Sequence, residues 1–106
     1  MSGNAYVLSM TEDQLASLVI ELARFHGWKV VHFRPARLGK RWMTPVQGDV
    51  GSPDLMMARA GTVILAELKA ERGSLRPEQK EWAEAIGACH RVWRPRDLDE
   101  IREVLK

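Results

Sequence analysis

The eight residues Thr62-Val63-Ile64-Leu65-Ala66-Glu67-Leu68-Lys69 constrain the fold more than any other stretch of the chain. Odd and even positions are both apolar until Glu67, the pattern of a central strand covered on its two faces. Such a strand needs neighbours beside it and helices packed on the sheet it belongs to. Ala60-Gly61 separates it from a second strand-like run, Asp54 to Arg59, so the two runs read as a hairpin. With a two-residue loop, Arg59 faces Thr62 and paired residue numbers sum to 121. Asp54 then lies opposite Glu67. Cross-strand partners have Cβ atoms about 4.5–5.5 Å apart on one face. Lys69, two residues beyond Glu67, projects from that same face. A longer turn with a bulge would offset the pair by one residue.

The remaining pattern supplies the helices. Thr11-Glu12-Asp13-Gln14 is a capping box. Leu15, Leu18, Val19, Leu22 and His26 follow at helical spacing, and Gly27 is a stop, so a first helix runs from about Glu12 to His26. Trp28 to Phe33 is short, β-branched and aromatic, a strand. Pro77 suits the first turn of a second helix that ends near Gly87, His90 to Trp93 is a short strand, and Asp97 caps a last helix with Leu98, Ile101, Val104 and Leu105 on one stripe. The order α-β-β-β-α-β-α predicts an α/β fold with one mixed sheet flanked by helices. At 106 residues, with 45% apolar residues, the chain reads as one domain spanning 1–106.

Residues 34–52 break the pattern. They hold two prolines and three glycines, with Arg34, Arg37, Lys40 and Arg41 against a single Asp49. We expect a long, basic, mobile loop there, functional or simply solvated. Within it Trp42 is placed to stack on a base. A net charge of +2 is compatible with a nucleic-acid partner without requiring one.

Carboxylates in a buried strand cost free energy unless they are paired or bind a metal. Paired carboxylate oxygens suit a hard divalent cation. Such an ion polarises a phosphodiester, and a nearby lysine can position or deprotonate water. Taken alone, Asp54, Glu67 and Lys69 fit a structural ion cluster as well, since ion-pair networks occupy such positions too. Glu-x-Lys by itself is common: Glu78-x-Lys80 is a second instance, on a predicted helix with no carboxylate strand beside it.

Gly51-Ser52-Pro53-Asp54 followed by Glu67-Leu68-Lys69 on the next strand resembles the Pro-Asp…(Asp/Glu)-x-Lys nuclease superfamily. More narrowly, the chain resembles the VRR-NUC domain family in its short stand-alone form, found in phages and bacteria. The resemblance extends over Thr11-Glu12, Gly27-Trp28, Gly51 to Leu55, Ala66 to Lys69, Leu75 to Gln79 and Val92 to Pro95. It implies a restriction-endonuclease-like core and a Mg²⁺- or Mn²⁺-dependent endonuclease acting on branched DNA such as Holliday junctions, as a homodimer. It further implies a metal held by Asp54, Glu67 and the main-chain carbonyl of Leu68, with Lys69 and Gln79 in the catalytic set. Glu12 matches the metal-associated glutamate of the family's first helix. It lies at the edge of that helix's apolar arc, and it serves the helix dipole equally well. Arg76 replaces the small N-cap residue of many relatives, leaving the helix start less well capped and adding a possible phosphate contact. A flap or nicking nuclease, or a non-catalytic DNA-binding accessory module, is the alternative.

Several other residues carry weaker signals. His26, His32 and His90 lack metal-ligand spacing, which favours packing or surface roles. Trp28, Trp82 and Trp93 lie in regular elements and are expected in the core, and Cys89 reads as a small buried hydrophobe. Arg72, Lys80, Arg91 and Arg94 are candidates to extend a phosphate-binding surface. One cysteine excludes an intramolecular disulfide framework, no run reaches the about 18 apolar residues of a membrane span, and no secretory pattern opens the chain. A cytoplasmic location (a host cytoplasm for a phage protein) and no organic small-molecule cofactor are the resulting expectations.

Overall fold

The computed structural model describes residues 5–33, 36–38, 41–43 and 47–106, with the backbone alone described for 36–38 and 41–43. In chain order the elements are α1 (Ala5–Leu8), α2 (Glu12–Phe25), β1 (Lys29–His32), β2 (Ala36–Leu38), β3 (Arg41–Met43), β4 (Leu55–Arg59), β5 (Thr62–Leu68), α3 (Pro77–Ile86), β6 (His90–Trp93) and α4 (Leu98–Leu105). Short 3₁₀ turns, Gly87–Cys89 and Pro95–Asp97, flank β6. Four strands form a mixed sheet in the order β1-β4-β5-β6, antiparallel except for the β5/β6 pair. The predicted α/β class and mixed sheet with flanking helices stand.

The hairpin register follows the predicted sum. Arg59 pairs with Thr62 and Leu55 with Ala66. Both turn residues have positive φ, 49° at Ala60 and 83° at Gly61, the backbone of a type I′ turn whose twist matches that of the strands. Ala60 adopts this conformation at a steric cost of about 1 kcal/mol that asparagine or glycine would largely avoid.

The core lies on one sheet face. Leu55 and Met57 of β4, with Ile64, Ala66 and Leu68 of β5, are buried together with Leu15, Ala16, Val19 and Ala23 of α2 and Ile101 and Leu105 of α4. The alternation of β4 and β5 and the helical spacing in α2 therefore converge on one layer, as their periods require. Thr11 caps α2: its Oγ1 accepts from the Gln14 N–H, and the Gln14 Oε1 accepts from the Thr11 N–H. At the turn end of the sheet the Arg59 guanidinium stacks 4.4 Å from the Trp28 ring and donates to the carbonyls of His26 and Leu105, tying the ends of α2 and α4 together. No helix among the described residues is long and apolar enough to cross a membrane.

Five expectations need correction. Strand β5 is fully covered only on the face of Ile64, Ala66 and Leu68; on the other face Val63 is exposed, Leu65 is half-buried and Glu67 alone is buried. The segment 34–52 contains a two-stranded antiparallel pair, β2/β3, with Arg37 opposite Trp42 and only Gly39-Lys40 between the strands. A glycine-containing two-residue connection is itself a hairpin signal. Asp97 stands before α4, yet its side chain accepts from the Arg94 N–H and leaves α4 without a side-chain cap. Trp28 and Trp93 are buried, but Trp82 is only half-buried, and its indole donates to the Val50 carbonyl at 2.9 Å. Cys89 is likewise only partly buried.

Candidate active site

The site forms where β4 begins and β5 ends. Extending the β4/β5 register by one pair places Asp54 opposite Glu67. Asp54 Oδ2 accepts the Leu68 N–H at 2.8 Å, so the carboxylate bridges to the backbone of the neighbouring strand. Glu67 is only 3% exposed and Lys69 6%. The Lys69 N–H donates to the Trp93 carbonyl, which carries the β5/β6 pairing one residue past the strand and fixes the lysine backbone. Asp54, Glu67 and Lys69 line one cleft of 290 Å³ together with Glu12, Arg76 and Gln79.

Helix α3 holds both acidic residues. Its Gln79 is 5% exposed and works in two directions. The amide oxygen accepts from the Arg76 N–H at 2.9 Å and the amide nitrogen donates to Glu67 Oε2 at 3.2 Å. The glutamine thus satisfies the Arg76 N–H, the reciprocal half of a capping box, and orients Glu67 with the same side chain. On the other side, Gly51 has φ +91°, and a Cβ there would sit 2.7 Å from the Glu78 Cγ. Only glycine lets the Pro53-Asp54 loop approach α3 so closely. The Trp82 indole secures the same loop through Val50.

The electrostatics follow from burial. Loss of water pushes the Glu67 carboxyl up to about 8, and a hydrogen bond with Asp54 and that residue's negative charge add to the rise. Lys69 opposes the shift and the Glu12 carboxylate reinforces it. Two acids in contact, with a third in range and one ammonium beside them, leave the cleft short of positive charge. A proton or a cation relieves that deficit. The donor set is hard oxygen, which suits Mg²⁺ or Mn²⁺ over softer ions. Among the described residues no three His, Cys, Asp or Glu side chains converge as a ready-made metal-holding group. The carboxylate pair would therefore need backbone carbonyl or water oxygens to complete a coordination shell.

The structure brings Glu12, Asp54, Glu67, Leu68, Lys69, Arg76 and Gln79 to this cleft. The side chains of Arg34, Arg37, Lys40, Arg41 and Trp42 lie outside the described residues. Arg91 donates to the Ala88 and His90 carbonyls and Arg94 to the Gly73 carbonyl, so both guanidinium groups serve the fold. His32 and Phe33, at the end of β1, also line the cleft. The sequence favours a packing or surface role for His32 and marks no role for Phe33, because neither belongs to a spaced motif; the signal is their place at the end of a strand, opposite Leu55 and Asp54. No family model, curated protein or solved structure matches the chain.

Proposed function

We propose that this protein is a divalent-metal-dependent endonuclease of the VRR-NUC type, with a restriction-endonuclease-like core, hydrolysing phosphodiester bonds in branched DNA such as Holliday junctions. The observation that carries this reading is the meeting of Asp54 and Glu67 in a cleft, with Lys69 beside them and Gln79 holding Glu67.

In this account Asp54, Glu67 and the Leu68 carbonyl would hold Mg²⁺ or Mn²⁺, with the Glu12 carboxylate near enough to add to the negative field there. The ion supplies Lewis acidity toward the phosphodiester. Asp54 is kept in place by the Leu68 N–H and Glu67 by the Gln79 amide. Lys69 presents an ammonium to the anionic phosphate and orients the attacking water by donating to it. Arg76, whose Nε is paired with Glu78 Oε1 at 2.7 Å and whose side chain is still 61% exposed at the cleft, offers its remaining guanidinium N–H groups as a second contact for the DNA backbone. The basic residues Arg34, Arg37, Lys40 and Arg41, with Trp42, are the proposed remainder of the DNA surface. A homodimer suits two symmetric cuts, because a two-fold axis presents two equivalent sites to a junction.

Asp54 and Glu67 already accept from the Leu68 N–H and the Gln79 amide, as a structural cluster would, which favours one other reading, a DNA-binding accessory module without cleavage. One experiment separates the two. Labelled four-way junction, flap and plain duplex are incubated with the protein, with and without Mg²⁺ or Mn²⁺. Metal-dependent cutting of the branched substrates is expected. Asp54→Ala and Lys69→Ala should remain folded and lose it. Binding without cutting in either metal would leave the accessory-module reading.

A further inference from the structure

Building on the nuclease reading, we propose that Phe33 is a stacking platform for an unpaired nucleobase beside the cleaved phosphate. The Phe33 N–H donates to the Asp54 carbonyl at 2.8 Å, which extends the β1/β4 ladder one pair beyond His32 and Leu55. Phe33 is therefore the cross-strand partner of Asp54, and partners in a ladder share a face. Phe33 lies one strand spacing from Asp54 and two from Glu67, and it lines the same cleft.

Its exposure is the second observation. Phe33 is 47% exposed, although burial of a phenyl ring is among the larger stabilising contributions a side chain makes. Val31 and Met56, next along that face, are 40% and 42% exposed. The floor beside the acidic cleft is thus apolar and open. A ligand that places an anionic group at Lys69 and Arg76 and a flat apolar group one sugar away would satisfy both halves. A nucleotide has that construction. Every base offers a π-face, so recognition by the ring is tolerant of sequence.

The base must leave its stack to reach Phe33. That step costs least where the base is already unpaired, as at a branch point or flap. Phe33 then makes the cleft selective for nucleotides at such positions over those within duplex.

The test uses a flap oligonucleotide carrying 2-aminopurine at the branch, in chelator, so that binding is read without cleavage. Quenching of the probe is expected with the wild-type protein and with Phe33→Trp. With Phe33→Leu the quenching should vanish and affinity should fall about 10-fold, within the range for loss of one stacked base. Replacing the probe base by an abasic site should produce the same fall in affinity with wild-type protein, followed by a label at the far end of the oligonucleotide, which removes any dependence on how the variant folds. Equal binding of plain duplex by all three proteins completes the expected pattern. Unchanged quenching and affinity in Phe33→Leu, or an equal loss on plain duplex, would overturn the stacking role. If the wild-type protein still cuts junctions in Mg²⁺ in that case, the nuclease reading survives alone. Wild-type protein that neither binds nor cuts any of these DNAs overturns both.

Discussion

Replacing Glu67 by glutamine should make the metal-free protein more stable, and increasingly so as pH rises. The wild-type carboxyl titrates near 4.5 when unfolded and at about 8 when folded, mainly because burial disfavours its charge. Below the lower value both states hold the proton. Between the two, the unfolded chain releases it while the folded protein keeps it, so stability falls with rising pH across that window and levels off above it. The ceiling on that loss is about 5 kcal/mol. Relaxation and water penetration around the buried charge reduce the expected effect to about 2 kcal/mol. Glutamine fills the same volume, carries no charge, can still accept from Gln79 and offers an amide N–H to Asp54. Thermal unfolding followed by circular dichroism in chelator should show Glu67→Gln melting roughly 10 °C above wild type at about pH 8.5, with the gap nearly closed at about pH 4.5. A variant that melts at or below wild type at the higher pH would refute the idea that the acid pair is held together at an electrostatic cost.

Two further outcomes follow from backbone geometry. Gly51→Ala should lower the melting temperature by an amount corresponding to about 1–3 kcal/mol and reduce cleavage, because a Cβ at φ +91° meets Glu78 and pushes the Asp54 loop off α3; an unchanged melt with full activity would mean the loop does not rest on that helix. Ala60→Asn should raise stability by about 1 kcal/mol with activity unchanged, since asparagine tolerates the positive φ at the first turn position better than alanine; thermal melts and a cleavage time course check both halves.

Much of the site was legible because it depends on one local hairpin. The two-residue spacing of Ala60-Gly61 fixed the pairing of Arg59 with Thr62, and the pleat then carried Asp54 to Glu67 without long-range information. Helix α2 was equally legible, since its capping box and apolar spacing are local signals. What escaped were contacts between distant segments. The bond from Trp82 to Val50 joins α3 to a loop 32 residues away, and no periodicity marks it. Phe33 and His32 gain meaning only when β1 lies beside β4, a pairing of strands separated by more than twenty residues of sequence. The small β2/β3 pair was hidden by strands of three residues each, too short to show alternation. Asp97 serves the turn before α4 and not the helix itself, because a carboxylate at that position can accept from either side.

The central claim is that Asp54 and Glu67 share a divalent cation, and titration of Mn²⁺ followed by electron paramagnetic resonance addresses it without reference to catalysis. Wild-type protein should sequester Mn²⁺ at about neutral pH, release protons from the Glu67 carboxyl as it does so, and give the ion up when Mg²⁺ competes for the site. Asp54→Asn and Glu67→Gln should each lose that binding while keeping their fold. Mn²⁺ that stays free in the presence of the wild-type protein, or binds both variants as well as wild type, would contradict the account.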